Sequence, residues 1–229
     1  QTAITDSTVD RFQPVFLNLL SRDAAKEPPI PYLIYEAIGR TQGYPTDPNW
    51  LLEWVWTITR DYDGLWEELT ACTHNGHTFE EVLAERATLR QWLYAAVPTL
   101  DAADGTPLET KAGVKESIET AEAAVTPAEF DADELVTRIE TLSRQLSRDG
   151  ERTELLLGLD ELALFVGDST PRYREFERTM EALQEGPNPV VITTGQIPLT
   201  RIRTDNIGSV PDNHWTTNEV QLEGADTET

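Results

Sequence analysis

The segment from Thr153 to Asp168, TELLLGLDELALFVGD, constrains this chain more than any other. Leu155, Leu156, Leu157, Gly158 and Leu159 form an unbroken apolar run that stops at two adjacent carboxylates, Asp160 and Glu161. A run without polar alternation suits a strand buried on both faces of a parallel sheet. Carboxylates at its C-terminal end would then lie at the rim where open α/β sheets bind ligands. The same letters also fit a buried strand followed by a helix whose first turn is acidic to match the macrodipole.

A second run lies a little over thirty residues downstream. Pro189, Val190, Val191 and Ile192 lead into Thr193, Thr194, Gly195 and Gln196, so polar groups are again delivered to a strand end. Between the two runs, Thr170 and Pro171 offer an N-cap and a first helical position. Tyr173, Phe176, Met180 and Leu183 follow at helical spacing, and Gly186 and Pro187 stop the helix. Strand, helix and strand in about forty residues predict a right-handed crossover between parallel strands.

DELALFVGDS, a helix and then VVITTGQIPL resemble the P-loop ATPase of the BREX phage-exclusion systems, the BrxC/PglY family, over Leu155 to Leu199. The Trp-rich helical region upstream is similar to the insertion that this family carries between its phosphate-binding loop and its Walker B strand. The resemblance implies that Asp160 is the Walker B residue that helps hold Mg2+ against ATP, and that Glu161 is the general base for water. Thr193, Thr194 or Gln196 would fill the sensor 1 role near the γ-phosphate. Other BREX subunits, an oligomeric assembly and DNA association only through the complex are implied in the same way.

A nucleotidase also needs a glycine-rich loop whose backbone N–H groups cradle the phosphates, G-x-x-x-x-G-K-[ST]. The chain contains no such motif. Its three lysines, Lys26, Lys111 and Lys115, do not follow glycine in that pattern. Together with a first residue, Gln1, that is not Met, this reads as part of an ATPase module truncated before its first strand and loop.

The net charge is −23, from 41 acidic against 18 basic residues, with Arg dominating the cations. Acid spread along the whole chain, Arg in place of Lys and abundant Thr resemble the style of salt-in haloarchaeal proteins. Molar salt shortens the Debye length to about 3 Å and screens the repulsion among carboxylates. The competing reading is an acidic protein that binds a basic partner. At ordinary ionic strength such a charge opposes contact with DNA phosphates; in molar salt that exclusion weakens, and local patches such as Arg201 and Arg203 weigh more.

Cys72 stands alone and can form no intramolecular disulfide, which fits a reducing cytoplasm. No apolar run approaches the roughly 20 residues of a membrane span, and the N-terminus lacks a signal peptide's pattern. The expectation is a soluble cytoplasmic protein with no membrane contact.

Along the chain, PVFLNLL at 14–20 reads as a strand of the same sheet or as the start of a helix. EPPIP at 27–31 enforces an extended turn. A helix follows through Leu33, Ile34, Ala37 and Ile38, and Asp47 and Pro48 open another through Leu51, Trp54, Val55 and Ile58. Trp50, Trp54, Trp56 and Trp66 fall within seventeen residues, with Arg60 the sole cation beside them. Without basic partners they read as core packing and not as a base-stacking platform. Cys72, His74 and His77 in ACTHNGH are three ligand types where a closed zinc site needs four, so this segment reads as a loop. Thr78 to Glu81 is a capping box that opens a helix reaching Ala96. Residues 99–110 read as a loop, Val114 to Val125 as a helix, and Thr126 and Pro127 as the start of the longest helix, carrying Leu135, Ile139, Leu142 and Leu146 to a Gly150 cap.

The expected fold is α/β and helix-dominated: a partial P-loop NTPase-type parallel sheet with a large α-helical insertion. Residues 1–29 form an N-terminal edge with a strand of the core, 30–150 the insertion, 151–199 the Walker B to sensor 1 βαβ unit, and 200–229 an irregular tail. Two functions fit. One is the ATP-binding and hydrolysing subunit of a BREX-type antiviral system, active as the full-length protein but not as this chain alone. The other is a non-catalytic assembly module that retains a nucleotidase-like core.

Overall fold

A computed structural model describes residues 9–61, 64–100, 111–147, 152–167, 169–187 and 189–195. Three strands, β1 (Arg11–Asn18), β4 (Thr153–Asp160) and β5 (Val190–Thr194), form a parallel sheet in the order β1-β4-β5. Residues 14–18 of the segment at 14–20 are therefore strand, in the sheet that holds Asp160, and the strand begins earlier, at Arg11. A two-stranded hairpin, β2 (Thr73–His74) and β3 (His77–Thr78), is the only other sheet among the described residues.

Nine helices surround the strands among the described residues. Between β1 and β4 lie α1 (Ile30–Thr41), α2 (Asn49–Asp61), α3 (Leu65–Ala71), α4 (Phe79–Glu85), α5 (Leu89–Ala96), α6 (Lys111–Ala124) and α7 (Ala132–Leu146). A short α8 (Leu162–Val166) and the long α9 (Thr170–Glu185) join β4 to β5. The α/β, helix-dominated character and the parallel sheet stand as read from the sequence.

Register explains how the sheet is covered. Val15 pairs with Leu157 and Leu17 with Leu159, while Leu157 pairs with Val191, so these side chains share one face. That face is buried with Leu33, Tyr35 and Ile38 of α1, Leu135 and Ile139 of α7, and Tyr173 and Met180 of α9. The order β1-β4-β5 advances in one direction, and right-handed crossovers that advance in one direction lie on one side of a sheet.

The opposite face corrects the expectation of a strand buried on both sides. Phe12 and Phe16 of β1 are 51% and 75% exposed, and Val190 and Ile192 of β5 are 42% and 49% exposed. On this face the central strand has Gly158, in register with Phe16. A Cβ at Gly158 would stand 2.4 Å from Phe16 Cδ1, so the glycine makes room for the ring above it.

A second apolar cluster lies in the helical region. It is built on Trp50, Leu51, Trp54 and Val55 of α2, with Leu89, Trp92 and Leu93 of α5 and Val114 and Ile118 of α6. Trp50, Trp54 and Trp56 are buried, as core packing requires, and Trp54 Nε1 donates to Ser117 Oγ at 3.0 Å. A buried polar group ties this region to the sheet core. Glu53, 5% exposed, accepts from Tyr35 Oη at 2.8 Å and from Arg138 at 2.6 Å, joining α1, α2 and α7.

Several boundaries move. Cys72 to His77 is not a plain loop: Asn75 and Gly76, both at positive φ, make the tight turn of the β2-β3 hairpin, as Asn-Gly favours. Trp92 Nε1 reaches both His74 O and His77 O and holds that hairpin against α5. The capping box at Thr78 and Glu81 is present, but its helix ends at Glu85 and restarts at Leu89, because Arg86 takes φ 44°. Thr126 and Pro127 start only a short 3-10 turn; α7 is capped by Asp131, whose carboxylate accepts from Asp133 and Glu134 N–H. At 16 residues α9 exceeds α7 by one, and its cap is Ser169, with Thr170 already helical. Of the expected loop at 99–110, Thr99 ends a short 3-10 turn and residues 101–110 lie outside the described residues, as do the Gly150 cap and the expected tail at 200–229.

Candidate functional site at the strand ends

Three parallel strands end in one polar row. The register pairs Asn18 of β1 with Asp160 of β4 and Asp160 with Thr194 of β5, so the three residues share the face that carries Phe16 and Ile192. The row lies at the C-terminal edge, where open parallel sheets collect ligand groups. Thr194 Oγ1 donates to Asp160 Oδ1 at 2.5 Å. Asn18 Oδ1 accepts from Leu20 N–H at 2.9 Å, which turns the chain away at the end of β1.

The backbone between Asp160 and Glu161 is gripped from both sides. Leu19 N–H donates to Asp160 O at 3.1 Å, and Glu161 N–H donates to Thr194 O at 2.9 Å. Glu161 must remain in the sheet through its N–H while its own carbonyl already accepts from Phe165 N–H of α8 at 3.0 Å. It meets both demands at φ 58°, ψ 30°, in the left-handed region that residues with a Cβ seldom occupy. Glu161 is also buried, at 8% exposure. A buried, strained carboxylate at a strand end is a combination found at functional sites.

The sequence-read candidates divide. Asp160, Glu161 and Thr194 come together. Thr193 is in register with Leu159 and so lies on the helix-covered face, away from Asp160. Gln196 lies outside the described residues. Asn18 was missed by sequence reading, because an Asn after an apolar run carries no signal until pairing with β4 sets it beside Asp160.

Hard oxygen donors suit Mg2+, which is usually held by one or two carboxylates together with substrate phosphates. Among the described residues no group of three or more His, Cys, Asp or Glu converges as a metal cage. Asp160 and Thr194 offer oxygen donors of the kind that such an ion takes. A cleft of about 860 Å³ opens elsewhere, between the starts of α1 and α7 and the side of α9, and its lining includes none of Asp160, Glu161 and Thr194.

Compared with known proteins, the chain matches no family model, no curated protein and no solved structure. No described helix is long and apolar enough to cross a membrane.

Proposed function

We propose that this chain is part of the P-loop ATPase subunit of a BREX-type phage-exclusion system, which binds ATP with Mg2+ and hydrolyses it in the full-length protein. The observation that carries the reading is the polar row at the strand ends, with Asp160 bonded to Thr194 and a buried Glu161 immediately beyond it. Asp160 would hold the cation, whose charge, when bound, offsets that of the phosphates. Glu161 would accept the proton of the attacking water, and Thr194 or Gln196 would stand near the terminal phosphate.

The open sheet face supports the same reading. Parallel sheets are ordinarily covered on both faces, and a right-handed crossover returning from the outer edge of β5 to β1 would lie over Phe12, Phe16 and Ile192. A strand, phosphate-binding loop and helix ahead of β1 would supply that cover. In this proposal the assembly is an oligomer with other BREX subunits, cytoplasmic, reaching DNA only through the complex, and the acidic surface is a halophilic adaptation.

The absence of a glycine-rich lysine loop from the sequence favours a second reading, a non-catalytic assembly module that keeps the sheet for packing. Glu161→Gln in the full-length protein separates the two. The amide preserves shape and removes the proton acceptor, so turnover should fall by about 10²- to 10⁴-fold while nucleotide affinity persists and phage protection falls with turnover. Hydrolysis at the wild-type rate would leave only the assembly reading.

A further inference from the structure

We infer that Thr194 is a positioning residue that fixes Asp160 and Glu161 for a divalent cation, and that it does not read a phosphate group. The inference rests on the nucleotidase reading and assigns one of its residues a different task. Thr194 holds both carboxylate residues at once: its hydroxyl donates to Asp160 Oδ1, and its carbonyl accepts from Glu161 N–H. A hydroxyl has a single proton to donate. With that proton directed at Asp160, Thr194 has none for a phosphate oxygen unless the bond at the strand ends breaks. The bond joins two side chains already in register on neighbouring strands, so each is held by its own backbone ladder before the other is considered. It restricts the Asp160 side chain and leaves Oδ2 for a cation or for a water on that cation. Partners of this kind, which orient a ligating carboxylate from outside the metal's own ligand set, change metal affinity by about 10- to 100-fold when removed.

The test uses the 229-residue chain with Mn2+ as the probe. In molar KCl, which suppresses diffuse binding to the acidic surface, paramagnetic broadening of backbone amides reports where Mn2+ dwells. Wild type should broaden at the amides of Leu159 to Leu162 and of Thr193 to Gly195, and Asp160→Asn should abolish that pattern. Thr194→Val keeps the β-branched shape and loses the hydroxyl; it should need about tenfold more Mn2+ for equal broadening. Thr194→Ser, which keeps the donor, should stay close to wild type. If the Val variant does not give a dispersed amide spectrum, Thr194→Ala provides the same comparison. Broadening of Thr194→Val at the wild-type concentration, or a Ser variant as weak as the Val one, would overturn the positioning role and leave the nucleotidase reading intact. Wild-type broadening that is unlocalised, or indifferent to Asp160→Asn, would overturn the cation site and with it the positioning role, while the nucleotidase reading is tested separately by Glu161→Gln in the full-length protein.

Discussion

Replacing Glu161 by glycine and by alanine isolates the strain at the end of the central strand. Both substitutions delete the carboxylate and its contacts, so the two variants differ only in a Cβ at φ 58°. The left-handed conformation costs a residue with a Cβ roughly 1–2 kcal/mol. Glycine escapes that cost but gives up about 0.5–1 kcal/mol more chain entropy on folding than alanine. The balance favours the glycine variant over the alanine variant by about 0.5–1 kcal/mol, or roughly 1–4 °C in Tm for a chain of this size. Were Glu161 an ordinary first-turn helical residue, the order would reverse, since glycine is about 1 kcal/mol worse than alanine in a helix. Paired urea and thermal unfolding of Glu161→Gly and Glu161→Ala therefore read the sign directly. An alanine variant at least as stable as the glycine variant would show that Glu161 does not occupy the left-handed turn, and the account of a doubly gripped strand end would fall.

Three other perturbations address the rest of the molecule. Glu53→Ala leaves Arg138 and Tyr35 Oη without their acceptor inside the helix core and should cost about 3–5 kcal/mol; a loss under about 1 kcal/mol in urea unfolding would contradict the buried network. With 41 acidic residues on one chain, native circular dichroism should require molar KCl, and full native ellipticity at low salt, on the order of 50 mM, would refute the halophilic reading. Burial, reinforced by the Glu68 charge, raises the Cys72 thiol above its usual range. Its thiolate fraction at mildly alkaline pH is thus smaller than a free cysteine's. Iodoacetamide should label Cys72 slowly in the native chain and faster after unfolding, with the gap narrowing as pH rises through the raised value. Equal rates in both states would contradict that environment.

What the sequence by itself determined are the features that depend on neighbours close along the chain. The apolar run before Asp160 and the β-branched run before Thr193 declare strands because each needs only local periodicity, and the helix between them announces itself through Pro171, Tyr173, Met180 and Gly186. The capping box of Thr78 and Glu81 is legible for the same reason, since its two hydrogen bonds span three residues. The Asn75-Gly76 hairpin carried a local signal as well, the preference of that dipeptide for positive φ, which the loop reading of ACTHNGH passed over. Tertiary structure decided what depends on pairing across the chain. That the segment beginning at Pro14 is strand as far as Asn18, and not the start of a helix, follows from its ladder with β4, whose partners lie more than 140 residues away. The same ladder sets Asn18 beside Asp160 and brings Phe16 over Gly158, and the β5 ladder selects Thr194 over Thr193 as the partner of Asp160. The left-handed turn at Glu161 has no signature in a DEL sequence. It arises because β5 claims the N–H of Glu161 while α8 claims its carbonyl, and only the assembled sheet makes both demands on one residue.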